Sequence, residues 1–107
     1  MIRYNLNQMA DGRFVIYIEG HAEAGPKGQD LVCAASSALA SALNLGVMRL
    51  EAEGRTKSAD IRVADGDVSV DFTPAENESE RALGLVNTIT DAFVWLESCY
   101  PDNVCVV

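Results

Sequence analysis

The chain has 107 residues, 49% of them apolar and 22% charged. These are the proportions of an ordinary globular domain, and they exclude wholesale disorder and a fibrous repeat; one domain spanning residues 1–107 is expected, because a domain usually takes roughly 100 to 200 residues. Eight Lys and Arg against sixteen Asp and Glu leave a formal charge of -8, which repels phosphate backbones, excludes nucleic acid as a direct partner and draws in basic peptides.

Ile2, Tyr4 and Leu6 alternate with polar residues, and Phe14, Ile16 and Ile18 alternate again after Asp11-Gly12. Period-two patterns around an Asp-Gly pair predict a β-hairpin, since glycine accepts positive φ at little steric cost. A helix is predicted from an Asp30 N-cap to about Leu50, with Ala35, Leu39, Ala42, Leu43, Gly46 and Leu50 along one face and small residues permitting close contact with a sheet. No charge occurs from Leu31 to Met48, a run that raises the question of a membrane span. Ser36, Ser37, Ser41 and Asn44 interrupt it and no positive cluster flanks it, so it reads as a core helix with no membrane partner.

A second hairpin is predicted from Ile61 and Val63, through Asp65-Gly66, to Val68, Val70 and Phe72. Ala82, Leu85, Val86, Ile89, Ala92, Phe93 and Leu96 then recur every three or four residues, the stripe of an amphipathic helix. Thr73-Pro74-Ala75-Glu76 matches a capping box for its start, with Ser79 as a rival, and Tyr100-Pro101 ends it. Val104 to Val107 could add a short strand. The fold class is therefore α+β: two antiparallel β-hairpins forming a sheet packed with two α-helices, order ββαββα with the short C-terminal strand as an addition.

Three dispersed cysteines, Cys33, Cys99 and Cys105, make an odd number, the wrong arithmetic for a disulfide framework. With a single histidine they also lack the paired spacings of a metal site. No Walker or dinucleotide glycine pattern occurs, so no cofactor is expected. Cys99 and Cys105 read as packing residues. The amino end lacks the charged start and long apolar run of a secretory signal, so a cytoplasmic location is expected.

The chemistry-bearing residues are His21, directly after Gly20 at the end of the second strand, and Cys33, in the first turn of the first helix. With Asp30 as cap, unpaired amides and the positive end of the helix dipole favour a thiolate at Cys33. Burial opposes this. An adjacent imidazole can protonate a departing amine, and first-turn amides can donate to an oxyanion. Ser37 shares the helical face of Cys33, where it can orient a backbone group or touch substrate. A cysteine in an alanine-rich helix is equally an ordinary packing residue, and a histidine after glycine an ordinary structural one; spacing alone leaves both readings open.

Gly20-His21-Ala22, then Gly25 and Gly28, then Asp30-Leu31-Val32-Cys33-Ala34-Ala35-Ser36-Ser37-Ala38-Leu39 closely resembles the signature of the ribosomal-processing cysteine protease family called Prp. The length and element order are also similar to that family. The resemblance implies a thiol endopeptidase that removes an amino-terminal extension from a bacterial large-subunit ribosomal protein, with that precursor as peptide substrate. It implies Cys33 as nucleophile and His21 as proton-transfer partner, with supporting roles for Asp30 and Ser37, and a homodimer. Gly20, Gly25 and Gly28 match its glycine positions, the last two letting the loop fold over an extended peptide. The sequence departs from the family at Lys27, after Pro26, where members often carry an aromatic residue. The competing expectation is a non-enzymatic ribosome-associated binding or assembly factor with Cys33 as packing; a redox sensor is a third, with no resolving cysteine close in sequence.

Overall fold

Apolar residues at every second position put one face of each strand inward. In β1 (Ile2–Gln8) these are Ile2 and Tyr4, in β2 (Phe14–Glu19) Phe14, Ile16 and Ile18, and all are buried. The structure, a computed structural model, describes residues 1–26 and 28–107. β1 and β2 pair antiparallel, with Tyr4 opposite Ile18. Asp11 accepts from the Arg13 amide inside the connecting turn, and Gly12 adopts φ +90°.

After α1 (Leu31–Ala52), β3 (Thr56–Ala64) and β4 (Asp67–Pro74) form the second hairpin. Ala64 stands opposite Asp67, which leaves Asp65-Gly66 as a two-residue turn. The two hairpins join because β4 pairs antiparallel with β2, Phe14 opposite Phe72. Those rings stack with centroids 5.0 Å apart and an interplanar angle of 13°. α2 (Ser79–Cys99) and β5 (Val104–Val106) complete the chain. The expected order ββαββα with a short final strand is observed. β5 runs parallel to β1, so the five-stranded sheet, in order β3-β4-β2-β1-β5, is mixed rather than purely antiparallel.

Both helices pack on the sheet and on each other, α1 against β3 and β4, α2 against β1 and β5. The buried face of α1 is Val32, Ser36, Ala40, Leu43, Val47 and Leu50. This corrects the expected face: Leu43 and Leu50 are shared, Ala35 and Leu39 sit at its edge, and Ala42 is exposed. An alanine-rich helix carries too little contrast between its faces for periodicity to set its rotation. The close approach is likewise helix to helix, since a Cβ at Gly46 would lie 2.7 Å from a methyl of Leu85 in α2. By length and composition α1 is apolar enough to cross a membrane; here its inner face belongs to the core.

The stripe predicted for α2 holds, with Ala82, Val86, Ile89, Phe93 and Leu96 buried. Its start is corrected. Thr73 and Pro74 remain in β4, paired with Ser58 and Thr56, and the helix begins at Ser79, the rival position. Proline lacks an amide donor and ends the strand at no loss of a ladder bond. The Glu78 carboxylate before the helix is held by Arg55 at 2.8 Å and by Arg81 at 3.2 Å.

Tyr4 links sheet to helix: its ring stacks on Phe93, centroids 5.0 Å apart, and its hydroxyl donates to Glu97 at 2.6 Å. Burial, then that carboxylate, push the phenol above its ordinary range. Phe93 is fully buried, so Phe93→Ala should cost about 3–5 kcal/mol by losing both apolar transfer and packing. Urea unfolding should show this as a lower midpoint at unchanged slope.

Candidate active site

The site begins where β2 ends. Gly20 has φ +96°, and a Cβ there would fall 2.2 Å from the Met1 carbonyl oxygen, so no side chain fits. This turn delivers His21 and Ala22 to the first turn of α1. The His21 side chain is exposed, while Ala22 is 2% exposed and locked in place. The Ala22 carbonyl accepts from the Asn103 carboxamide at 2.8 Å, and its N–H donates to Cys33 Sγ at 3.1 Å.

Asp30 caps α1 as expected, but does more than cap. One carboxylate oxygen accepts from the amides of Val32 and Cys33, each at 3.0 Å. The other accepts from Ala24 at 2.9 Å, tying the loop after His21 back to the helix. The Cys33 amide above all, then those of Ala24 and Val32, hold the carboxyl below its usual range against a smaller opposing effect of desolvation. The first-turn amides expected to face an oxyanion are therefore taken: Val32 and Cys33 by the Asp30 side chain and Ala34 by its carbonyl at 3.0 Å.

A cleft of about 560 Å³ lies between the first half of α1 and the β3–β4 hairpin. Every residue singled out from the sequence lines it: Gly20, His21, Gly25, Gly28, Asp30, Cys33 and Ser37. Gly28 adopts φ +86°. Lys27, the departure from the family pattern, lies outside the described residues. The other cysteines are apart from this site, and Cys99 is exposed rather than packed, contrary to expectation.

Sequence reasoning missed the opposite wall. Asp65, Gly66 and Asp67, the turn of the second hairpin, line the cleft beside His21. Gly66 accepts from the Gly20 amide at 2.8 Å. The pair Asp65-Gly66 was legible as a turn, but no local signal connects it to a loop more than forty positions earlier. Asn44 was also missed. It lines the far part of the cleft, and its carboxamide oxygen is buried with no hydrogen-bond partner among the described residues.

The family model for cysteine protease Prp matches residues 1–105. This chain belongs to the cysteine protease Prp family. It is thus a cysteine-type peptidase, a hydrolase. No curated protein matches it in sequence. Its fold is similar to an essential ribosomal processing protease Prp from S. aureus in complex with a covalently linked product peptide, at TM-score 0.73 and 22% identity, covering 99% of this chain and 97% of that one. The S. aureus protease in complex with a substrate peptide gives TM-score 0.68 at 21% identity, covering 100% and 98%. SMU.848 from Streptococcus mutans gives TM-score 0.68 at 24% identity, covering 99% and 91%. At these identities the likeness is one of fold.

Asp30→Ala should lower Tm at neutral pH by freeing three amides at once. The folded carboxyl titrates below its unfolded value of about 3.9, so its stabilisation is complete above that pH and fades as pH falls through the folded value. Thermal melts of the two proteins should therefore differ at pH 7 and converge as the Asp30 carboxyl becomes protonated in the folded state.

Proposed function

We propose that this chain cleaves the amino-terminal extension from a bacterial large-subunit ribosomal protein, with Cys33 as nucleophile and His21 as general acid and base. The observation that carries the reading is the Ala22 N–H on Cys33 Sγ at 3.1 Å, which sets the sulfur beside the backbone of the residue following His21, in a cleft that both side chains line. The likeness to a ribosomal processing protease seen with substrate and product peptides supports the substrate class.

In this mechanism the thiolate adds to the scissile carbonyl, forming a C–S bond, and the carbonyl oxygen takes the negative charge. With the Val32 and Cys33 amides held by Asp30, the fixed Ala22 N–H, 3.1 Å from the sulfur, is the backbone donor left to serve the oxyanion that forms there. His21 protonates the amine as the C–N bond breaks. The same imidazole then takes a proton from water, which attacks the thioester and releases the acid and the thiolate. Asp30 and Ser37 support this chemistry from beside it, Asp30 by holding the loop and Ser37 from the cleft wall next to Cys33. Gly25 and Gly28 let the loop follow an extended peptide.

Glu23, Asp30, Asp65 and Asp67 line the cleft, and no Lys or Arg does among the described residues. A basic peptide segment suits that field, in keeping with the net charge of -8. The reaction belongs in the cytoplasm, where the precursor is made. The active form is a homodimer, a reading supported by Val94 and Trp95 of α2 and Val106 of β5, each more than half exposed. Light scattering should return about twice the mass of the chain.

Cys33→Ala should abolish cleavage of the extended precursor, read by intact mass, with Tm little changed. Iodoacetamide should label Cys33 faster than Cys99 and Cys105 at neutral pH. Undiminished cleavage by the variant, or uniformly slow labelling, returns the protein to a binding role.

A further inference from the structure

As proton-transfer partner the histidine needs a fixed orientation, yet among the described residues no hydrogen bond holds its ring, and its side chain is exposed. What the ring meets is the turn of the second hairpin. A Cβ built on Gly66 would lie 2.6 Å from His21 Nε2, 3.0 Å from Cε1 and 3.3 Å from Cδ2. The imidazole therefore rests with its Nε2 edge directly over the Gly66 Cα, in space that any side chain would claim. The same glycine accepts the Gly20 amide at 2.8 Å, so the backbone that launches His21 and the surface that its ring meets are one rigid unit. β4 carries this unit, because Glu19 at the end of β2 pairs with Asp67 at the start of β4.

We propose that Gly66 is a positioning residue for the reaction: the β3–β4 turn is a platform that sets the imidazole of His21, and a bare Cα at position 66 is the condition for the ring to reach its working place. This rests on the reading of His21 as the proton-transfer partner of Cys33. A shift of about 1 Å in a reacting group is enough to cost roughly 100-fold in rate. A methyl at position 66 forces the ring to move by 0.4 Å to pass the 3.0 Å limit of real Cβ contacts and by 0.8 Å to reach ordinary contact at 3.4 Å.

Gly66 also has φ +70°, so a side chain there is strained for a reason unrelated to His21. Gly54, in the connection from α1 to β3, supplies the matched control. Its φ is +72°, and a Cβ there meets nothing within 4 Å. The two glycines thus carry the same backbone penalty, and only one carries the contact with the ring. Asparagine tolerates positive φ better than alanine while placing the same Cβ, so a second pair of variants separates the two effects again.

The experiment compares Gly66→Ala with Gly54→Ala, and Gly66→Asn with Gly54→Asn, in the full chain. Cleavage is followed on a synthetic peptide spanning the extension of the host ribosomal protein precursor. The single histidine allows the ring to be watched directly through its Cε1–H resonance. The two alanine variants should lose similar amounts of Tm. Gly66→Ala and Gly66→Asn should lower kcat about 10- to 100-fold with a smaller change in KM, alter the pH–rate profile and move the His21 resonance. The Gly54 variants should keep the wild-type rate, profile and resonance. An unmoved resonance with wild-type kcat in Gly66→Asn, or an equal loss of kcat in the Gly54 variants, overturns the proposal. Wild-type protein that leaves the peptide intact overturns the substrate reading alone, and the resonance then decides whether Gly66 places the ring.

Discussion

The hydrogen bond from the Ala22 amide to the Cys33 sulfur is the point at which sheet and inner helix meet. A buried backbone donor left unpaired costs about 1–3 kcal/mol, and this one finds a sulfur atom rather than a carbonyl. The Ala22 methyl is buried and its carbonyl is held by Asn103, so the donor cannot swing away without breaking into the core. The position of the sulfur is thereby coupled to the packing of β1, β5 and α1 together.

Asp30 accounts for the rest of the local electrostatics. A short side chain at an N-cap ordinarily satisfies one or two amides of the first turn. Here a single carboxylate takes Val32 and Cys33 on one oxygen and Ala24 on the other. The anion sits at the positive end of the α1 dipole, where it is favoured, and fixes the helix start relative to the loop. Asp30 also occupies the amides of Val32 and Cys33, and its carbonyl that of Ala34, leaving the Ala22 N–H as the backbone donor on the sulfur.

Several elements were legible in the residues, others only in part. The two hairpins and the α2 stripe follow from contrast between apolar and polar positions, and each appears where that contrast is strong: Phe14, Ile16 and Ile18 between polar neighbours, or Val86, Ile89 and Phe93 on one helical face. The rotation of α1 does not follow, because alanine and serine bury almost interchangeably and Ser36 takes an inner position that Ala42 was expected to share. The start of α2 was obscured by two overlapping cap patterns. Strand pairing through Pro74 decided between them, and pairing partners lie outside any local window.

What the chain determined by itself was local: strand and helix periodicity, an aspartate able to cap, and the signature around His21 and Cys33 with its glycines. Such features depend on neighbours within a few positions, and so they survive in one dimension. Tertiary structure alone decided that β5 lies parallel to β1, that the Asp65-Gly66 turn forms the wall against which His21 rests, and that Ala22 supplies the donor to sulfur. Each of these is a meeting of segments far apart in sequence, set by how two hairpins and two helices share one core, and a packing constraint of that kind has no periodic trace in the sequence.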